Sequence, residues 1–154
     1  MRQKQIKGLD LNELIHLCEK QNFPAFRAKQ IYHWMYKHNI QDVSEMINVP
    51  DNVKVYIEKN FIINTLKIEK IQESEKEDTK KILFKTLDGK FIESVSMIDK
   101  NLHTVCISSQ VGCGVDCQFC ATGMMGFIRS LTAGEIIDQI IEINRIRDQK
   151  ITDR

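Results

Sequence analysis

The segment that most restricts how this 154-residue chain can fold is Cys113-Gly-Val-Asp-Cys117-Gln-Phe-Cys120, three thiols in a C-x3-C-x2-C array. Gly112, Gly114, Gly123 and Gly126 punctuate it, so no helix or strand runs through it and the flanking elements must hold a loop in place. Upstream, residues 102–108 read as a strand. Downstream, Thr132 and Glu135 form a capping box, and Ile136, Ile137, Ile140, Ile141 and Ile143 carry a helix to about Arg147. Strand, loop (residues 109–130) and helix make one β/α unit, whose strand needs neighbours and whose isoleucine-rich helix needs a sheet to cover.

Residues 63–100 offer those neighbours. Leu66, Ile68 and Ile71 begin a β pattern, residues 73–78 form a charged turn, and residues 81–87 and 90–98 flank Asp88-Gly89, a two-residue hairpin signal. Alternation in the second of these strands puts Phe91, Glu93, Val95 and Met97 on one face and Ile92, Ser94, Ser96 and Ile98 on the other. The first set is the more apolar, so Glu93 is expected on the core side, where desolvation raises a carboxylate's pKa toward that of a useful base. The competing reading is a strand glutamate paired with one of the many lysines.

The first sixty residues read as a small helical bundle. Asp10 and Glu13 start a helix with Leu11, Leu14, Ile15 and Cys18 on one face, which makes Cys18 a core residue. Pro24 resets the chain before a stripe of Ala28, Ile31, Tyr32 and Met35, and Pro50 introduces a third helix carrying Val53, Ile57 and Phe61.

Hydrophobic residues make up 42% of the chain and only two residues are proline, which excludes a disordered chain. No apolar run approaches the ~20 residues of a membrane-spanning helix, and the opening MRQKQIKGLD has no secretory core, so a cytoplasmic protein is expected. A formal charge of +1 gives no dominant basic surface. Four of the five cysteines cluster in residues 106–120, which in such a compartment signals metal or redox chemistry rather than a disulfide framework. Three thiolates at the 113/117/120 spacing can hold an iron–sulfur cluster and leave one iron open. With Cys106 as a fourth ligand, the alternative is a structural zinc site in a non-catalytic zinc- or RNA-binding module. Arg27, Lys29, Lys37 and Arg129 are candidate phosphate contacts.

The run from Val105 through Ser108-Ser-Gln-Val-Gly112 and the three cysteines to Ala121-Thr-Gly123 and Leu131-Thr-Ala-Gly-Glu-Ile136 resembles the radical S-adenosylmethionine (SAM) enzymes that methylate C2 of adenine in RNA, the RlmN family with its relative Cfr. Phe26-Arg-Ala-Lys-Gln-Ile31 and Trp34 resemble the family's helical accessory domain. The resemblance implies a helical accessory domain over residues 1–62, a small β-sheet or hairpin segment over 63–100, and from 101 to 154 the start of a radical-SAM partial (β/α) barrel. The expected fold class is therefore α+β passing into α/β.

Residue by residue, the resemblance implies that Cys113, Cys117 and Cys120 bind a 4Fe-4S cluster whose open iron holds SAM. Glu93 matches the proton acceptor. Cys106 matches the redox partner that forms a disulfide with a methyl-carrying cysteine near the family's C-terminus. Ribosomal and transfer RNA are the implied substrates, with an electron donor such as flavodoxin. The rest of the SAM pocket and the methyl-carrying cysteine have no counterpart in this sequence, so the chain is expected to match the family's N-terminal part and to be inactive alone.

Overall fold

A computed structural model describes residues 4–115 and 117–147. The chain divides into two compact units between Thr65 and Leu66. The first contains β1 (Lys4–Gln5), α1 (Leu11–Lys20), α2 (Phe26–Tyr36), a 3-10 turn (Val43–Glu45), α3 (Asp51–Asn60) and β2 (Phe61–Ile62). Both halves of the expected capping box are made: the Glu13 N–H donates to Asp10 Oδ1 and the Asp10 N–H to Glu13 Oε2, each at 2.8 Å. Asp42 and Glu45 repeat the device on the 3-10 turn. Leu14, Cys18, Ala28, Ile31, Met35, Val53 and Ile57 close the core, whereas Tyr32 turns partly to solvent. The parallel pairing of β1 with β2 was not expected, because two-residue strands are too short to show a period.

The second unit contains β3 (Leu66–Glu73), β4 (Thr79–Thr86), β5 (Phe91–Asp99), β6 (Leu102–Cys106), β7 (Gln110–Gly112), α4 (Ala121–Met124), β8 (Phe127–Ser130) and α5 (Ala133–Arg147). Strands β3 to β6 form an antiparallel sheet in chain order. The β4–β5 connection departs from the two-residue hairpin: the Thr86 N–H donates to the Lys90 carbonyl at 2.8 Å and the Gly89 N–H to the Thr86 carbonyl at 2.9 Å, with Gly89 alone of the turn at positive φ (77°). This is a type I-like turn followed by a left-handed residue. The strand expected to begin a β/α unit, β6, is the antiparallel edge neighbour of β5.

The sheet also corrects the facing of β5. Ile92, Ser94 and Ser96 are buried, while Phe91, Glu93 and Met97 face solvent. Counting apolar residues selects the wrong face because both serines are hydrogen-bonded. Ser94 Oγ donates to Gln139 Oε1 at 2.7 Å, and Arg147 Nε donates to Ser96 Oγ at 3.0 Å, so helix α5 supplies the polar partners that make serine burial affordable. Around them Leu66, Ile82, Phe84, Ile92, Val111, Leu131 and Ile143 form the core.

Candidate active site

Strands β7 and β8 pair antiparallel and carry the cysteine loop between them. Where sequence alone indicated only a loop, the backbone is therefore a hairpin, closed by a 3.1 Å bond from the Cys113 N–H to the Gly126 carbonyl. Gly112 sits at φ 72°, and a Cβ there would lie 1.9 Å from the Gly126 carbonyl oxygen. Only glycine permits that approach. Within the loop the Cys120 N–H donates to the Cys117 carbonyl at 3.0 Å, and Cys120 then caps the short helix α4. The N–H groups of Gly123 and Thr122 hold the Cys120 thiol below the usual cysteine range, outweighing desolvation.

Side chains missed by the sequence reading fasten this hairpin to its surroundings. Gln139, fully buried on α5, accepts from the Ser108 N–H at 2.8 Å and donates to the Ser108 carbonyl at 2.9 Å, bracing the segment between β6 and β7. Arg129 on β8, read from sequence as a phosphate contact, is instead gripped by two carboxylates. It donates to Asp88 at 2.8 and 3.0 Å and twice to Glu135 at 2.8 Å. The Thr132–Glu135 capping box is also present, with the Thr132 N–H donating to Glu135 Oε2 at 2.9 Å. A glutamine four residues after the capping glutamate on an otherwise isoleucine-rich helix was the available clue to the Gln139 brace.

Glu93 and Cys106 stand on the outer face of the sheet. Cys106 is opposite Val95, and Glu93 is the next outward residue along β5, which makes the two diagonal neighbours with Cα atoms roughly 7–8 Å apart. The Glu93 side chain is 54% exposed and pairs with Lys81 at 3.0 Å. Cys106 is exposed, and Cys18, Cys106, Cys113, Cys117 and Cys120 are all free thiols. Among the described residues no three cysteine, histidine or acidic side chains are gathered closely enough to hold a metal ion. The structure thus brings Cys113, Cys117 and Cys120 onto one loop without drawing them to one point. Around them Val115, Phe119, Met124 and Met125 are strongly exposed.

This fold is similar to that of part of a radical SAM methyltransferase. A solved radical SAM methyltransferase from Sphaerobacter thermophilus superposes with a TM-score of 0.88 at 37% sequence identity, covering 94% of this chain and 42% of that one. A sequence profile described as "Ribosomal RNA large subunit methyltransferase N-terminal domain" matches residues 4–63. Proteins named "Probable dual-specificity RNA methyltransferase RlmN" from Chloroherpeton thalassium and Clostridium botulinum are each 42% identical, over 94% and 97% of the chain. The chain resembles the N-terminal part of these RlmN proteins. It spans 41% and 43% of the length of those two relatives.

Proposed function

We propose that this chain is the N-terminal part of an enzyme that methylates C2 of adenine in ribosomal and transfer RNA by radical SAM chemistry. The observation that carries the reading is the β7–β8 hairpin, which presents three free thiols on one closed loop, with the pKa of Cys120 lowered by backbone N–H groups. That donor set suits a 4Fe-4S cluster, with Cys113, Cys117 and Cys120 as its ligands. When bound, the cluster and SAM supply the carbon radical that methylation requires.

The chain's own residues hold and finish the reaction. Glu93, on an exposed sheet face and oriented by Lys81, takes the C2 proton of the adenine. Cys106, on the same face, is the thiol that resolves the protein–RNA adduct as a disulfide with a cysteine in a C-terminal portion. In this reading β7, the loop, β8 and α5 open a partial (β/α) barrel, with the functional division at 1–62, 63–100 and 101–154. A flavodoxin-like donor in the cytoplasm supplies electrons. Among the described residues no helix is long and apolar enough to cross a membrane.

Anaerobic reconstitution of the chain, with iron, sulfide and zinc analysis and EPR, tests the assignment. Iron and sulfide with a reducible signal, retained in Cys106→Ser and lost in Cys117→Ser, are expected. One tight zinc without sulfide, lost in Cys106→Ser, would establish the zinc module instead. The isolated chain is expected to form no 2-methyladenosine, and its detection would overturn the partial-enzyme reading.

A further inference from the structure

At one end of its outward face the four-stranded sheet brings Lys67, Lys70 and Lys85 together, with Glu69 exposed at the β3 bulge between the first two. Its register sets Lys67 directly opposite Lys85 and Lys85 opposite Phe91. The next outward row is Lys70, Leu83 and Glu93, and the one after is Gln72, Lys81, Val95 and Cys106. Like charges directly opposite one another destabilise a sheet, and here the repulsion is left standing. Lys67, Lys70 and Lys85 are exposed, and among the described residues none has a carboxylate within ion-pair distance. Lys85 instead lies over the Phe91 ring, 5.7 Å from its centroid, and that ring is 46% exposed. Glu93 is occupied by Lys81, and the remaining outward carboxylate of β5, Asp99, lies at the far end.

Unpaired lysines beside an exposed aromatic ring on a sheet match the two components of single-strand recognition, a cationic track for phosphates and a platform for bases. The row holding Phe91 and the row holding Cys106 are two outward steps apart, roughly 14 Å along the strands. The geometry points to this face as the seat of a single-stranded RNA segment, with Lys67, Lys70 and Lys85 on its phosphates and Phe91 stacked on a base, leading toward Glu93 and Cys106. The inference rests on the proposed methylation for the identity of the reacting base, whereas the surface itself rests on charge and register.

Fluorescence anisotropy of a labelled single-stranded RNA 12-mer with the full chain tests it across a salt series. The Lys67→Glu/Lys85→Glu double variant is expected to bind at least tenfold more weakly, with the salt slope shallower by roughly 1.4, at ~0.7 per lost phosphate contact. Phe91→Ala should weaken binding about tenfold at an unchanged salt slope, as for one lost stacking contact. Lys76→Glu, in the exposed turn after β3, should change neither. Circular dichroism checks folding, and Lys67→Gln/Lys85→Gln should give an intermediate loss. Affinity and salt slope unchanged in the double variant, no binding of the unaltered chain at low salt, or a face covered by a second copy of the chain, abolished by the lysine changes, would each overturn the inference. Iron and sulfide uptake is read on the same samples. Lost RNA binding with intact uptake indicts the surface alone, and failed uptake with intact RNA binding indicts the thiol assignment alone.

Discussion

The side-chain amide of Gln139 holds the backbone of Ser108 at both polar groups, Nε2 donating to the carbonyl at 2.9 Å and Oε1 accepting the N–H at 2.8 Å. A helix residue thereby acts as a strand partner where β6 has ended and β7 has not begun. Gln139→Leu strands those two groups and the Ser94 hydroxyl, and an expected loss of about 3 kcal/mol follows from roughly 1 kcal/mol or more per unsatisfied group. Urea unfolding measures it. A loss near zero would mean that water replaces the amide.

Arg129 joins the β4–β5 turn to the start of α5 through Asp88 and Glu135. The guanidinium and then the Thr86 hydroxyl hold Asp88 well below the usual carboxylate range. Burial alone would raise Glu135, but bonds from Arg129 and Thr132 outweigh it and leave it lowered. Both folded values lie below the unfolded ones near ~4. Their stabilisation is therefore fully present above about pH 5 and is lost as the pH falls through the folded values. Arg129→Met should cost about 2–3 kcal/mol at neutral pH, below the full figure for a wholly buried pair. It should also flatten or reverse the slope of stability below pH 5, read by unfolding at successive pH values.

His103 on β6 shares a 2.8 Å hydrogen bond with Ser96, while its buried Nδ1 has no partner among the described residues. Burial and then Arg147 hold its pKa below the ordinary value, with Asp78 opposing. The unfolded ring titrates near ~6.5, so stability present above that pH is lost as the pH falls from there toward the lowered folded value. His103→Gln should remove the part of the melting-temperature decline between about pH 7 and 5 that His103 contributes. Identical profiles for the two proteins would refute this.

Gly112→Ala places a methyl group into the Gly126 carbonyl and asks a left-handed φ of alanine. The conformation alone costs roughly 1–2 kcal/mol, and the clash adds to it. The expected result is a hairpin that opens, seen as lost protection of the Cys113 amide in hydrogen exchange and reduced iron content after reconstitution. Gly89→Ala, at positive φ but in open space, serves as the comparison and should lower stability without changing iron content.

What could be read from sequence was local. The Asp10–Glu13 and Thr132–Glu135 boxes are written in residues three apart, and the thiol loop announces itself by spacing. The facing of β5 was not legible, because Ser94 is buried on account of a glutamine 45 residues away. Arg129 looked free for the same reason, since Asp88 precedes it by 41 residues. Glu93 and Cys106 were reached by resemblance, and their shared face emerged only with the strand register.

Because only short tethers separate Cys113, Cys117 and Cys120, a metal captured by one thiol meets the other two at an effective concentration of order millimolar. Unzipping β7 from β8 leaves those tethers unchanged but frees the loop backbone, so ligation must then supply the ordering that the Cys113–Gly126 pairing had supplied. Ligation and strand pairing are thus two sides of one equilibrium, and any partner that tightens the hairpin raises metal affinity without touching a sulfur atom.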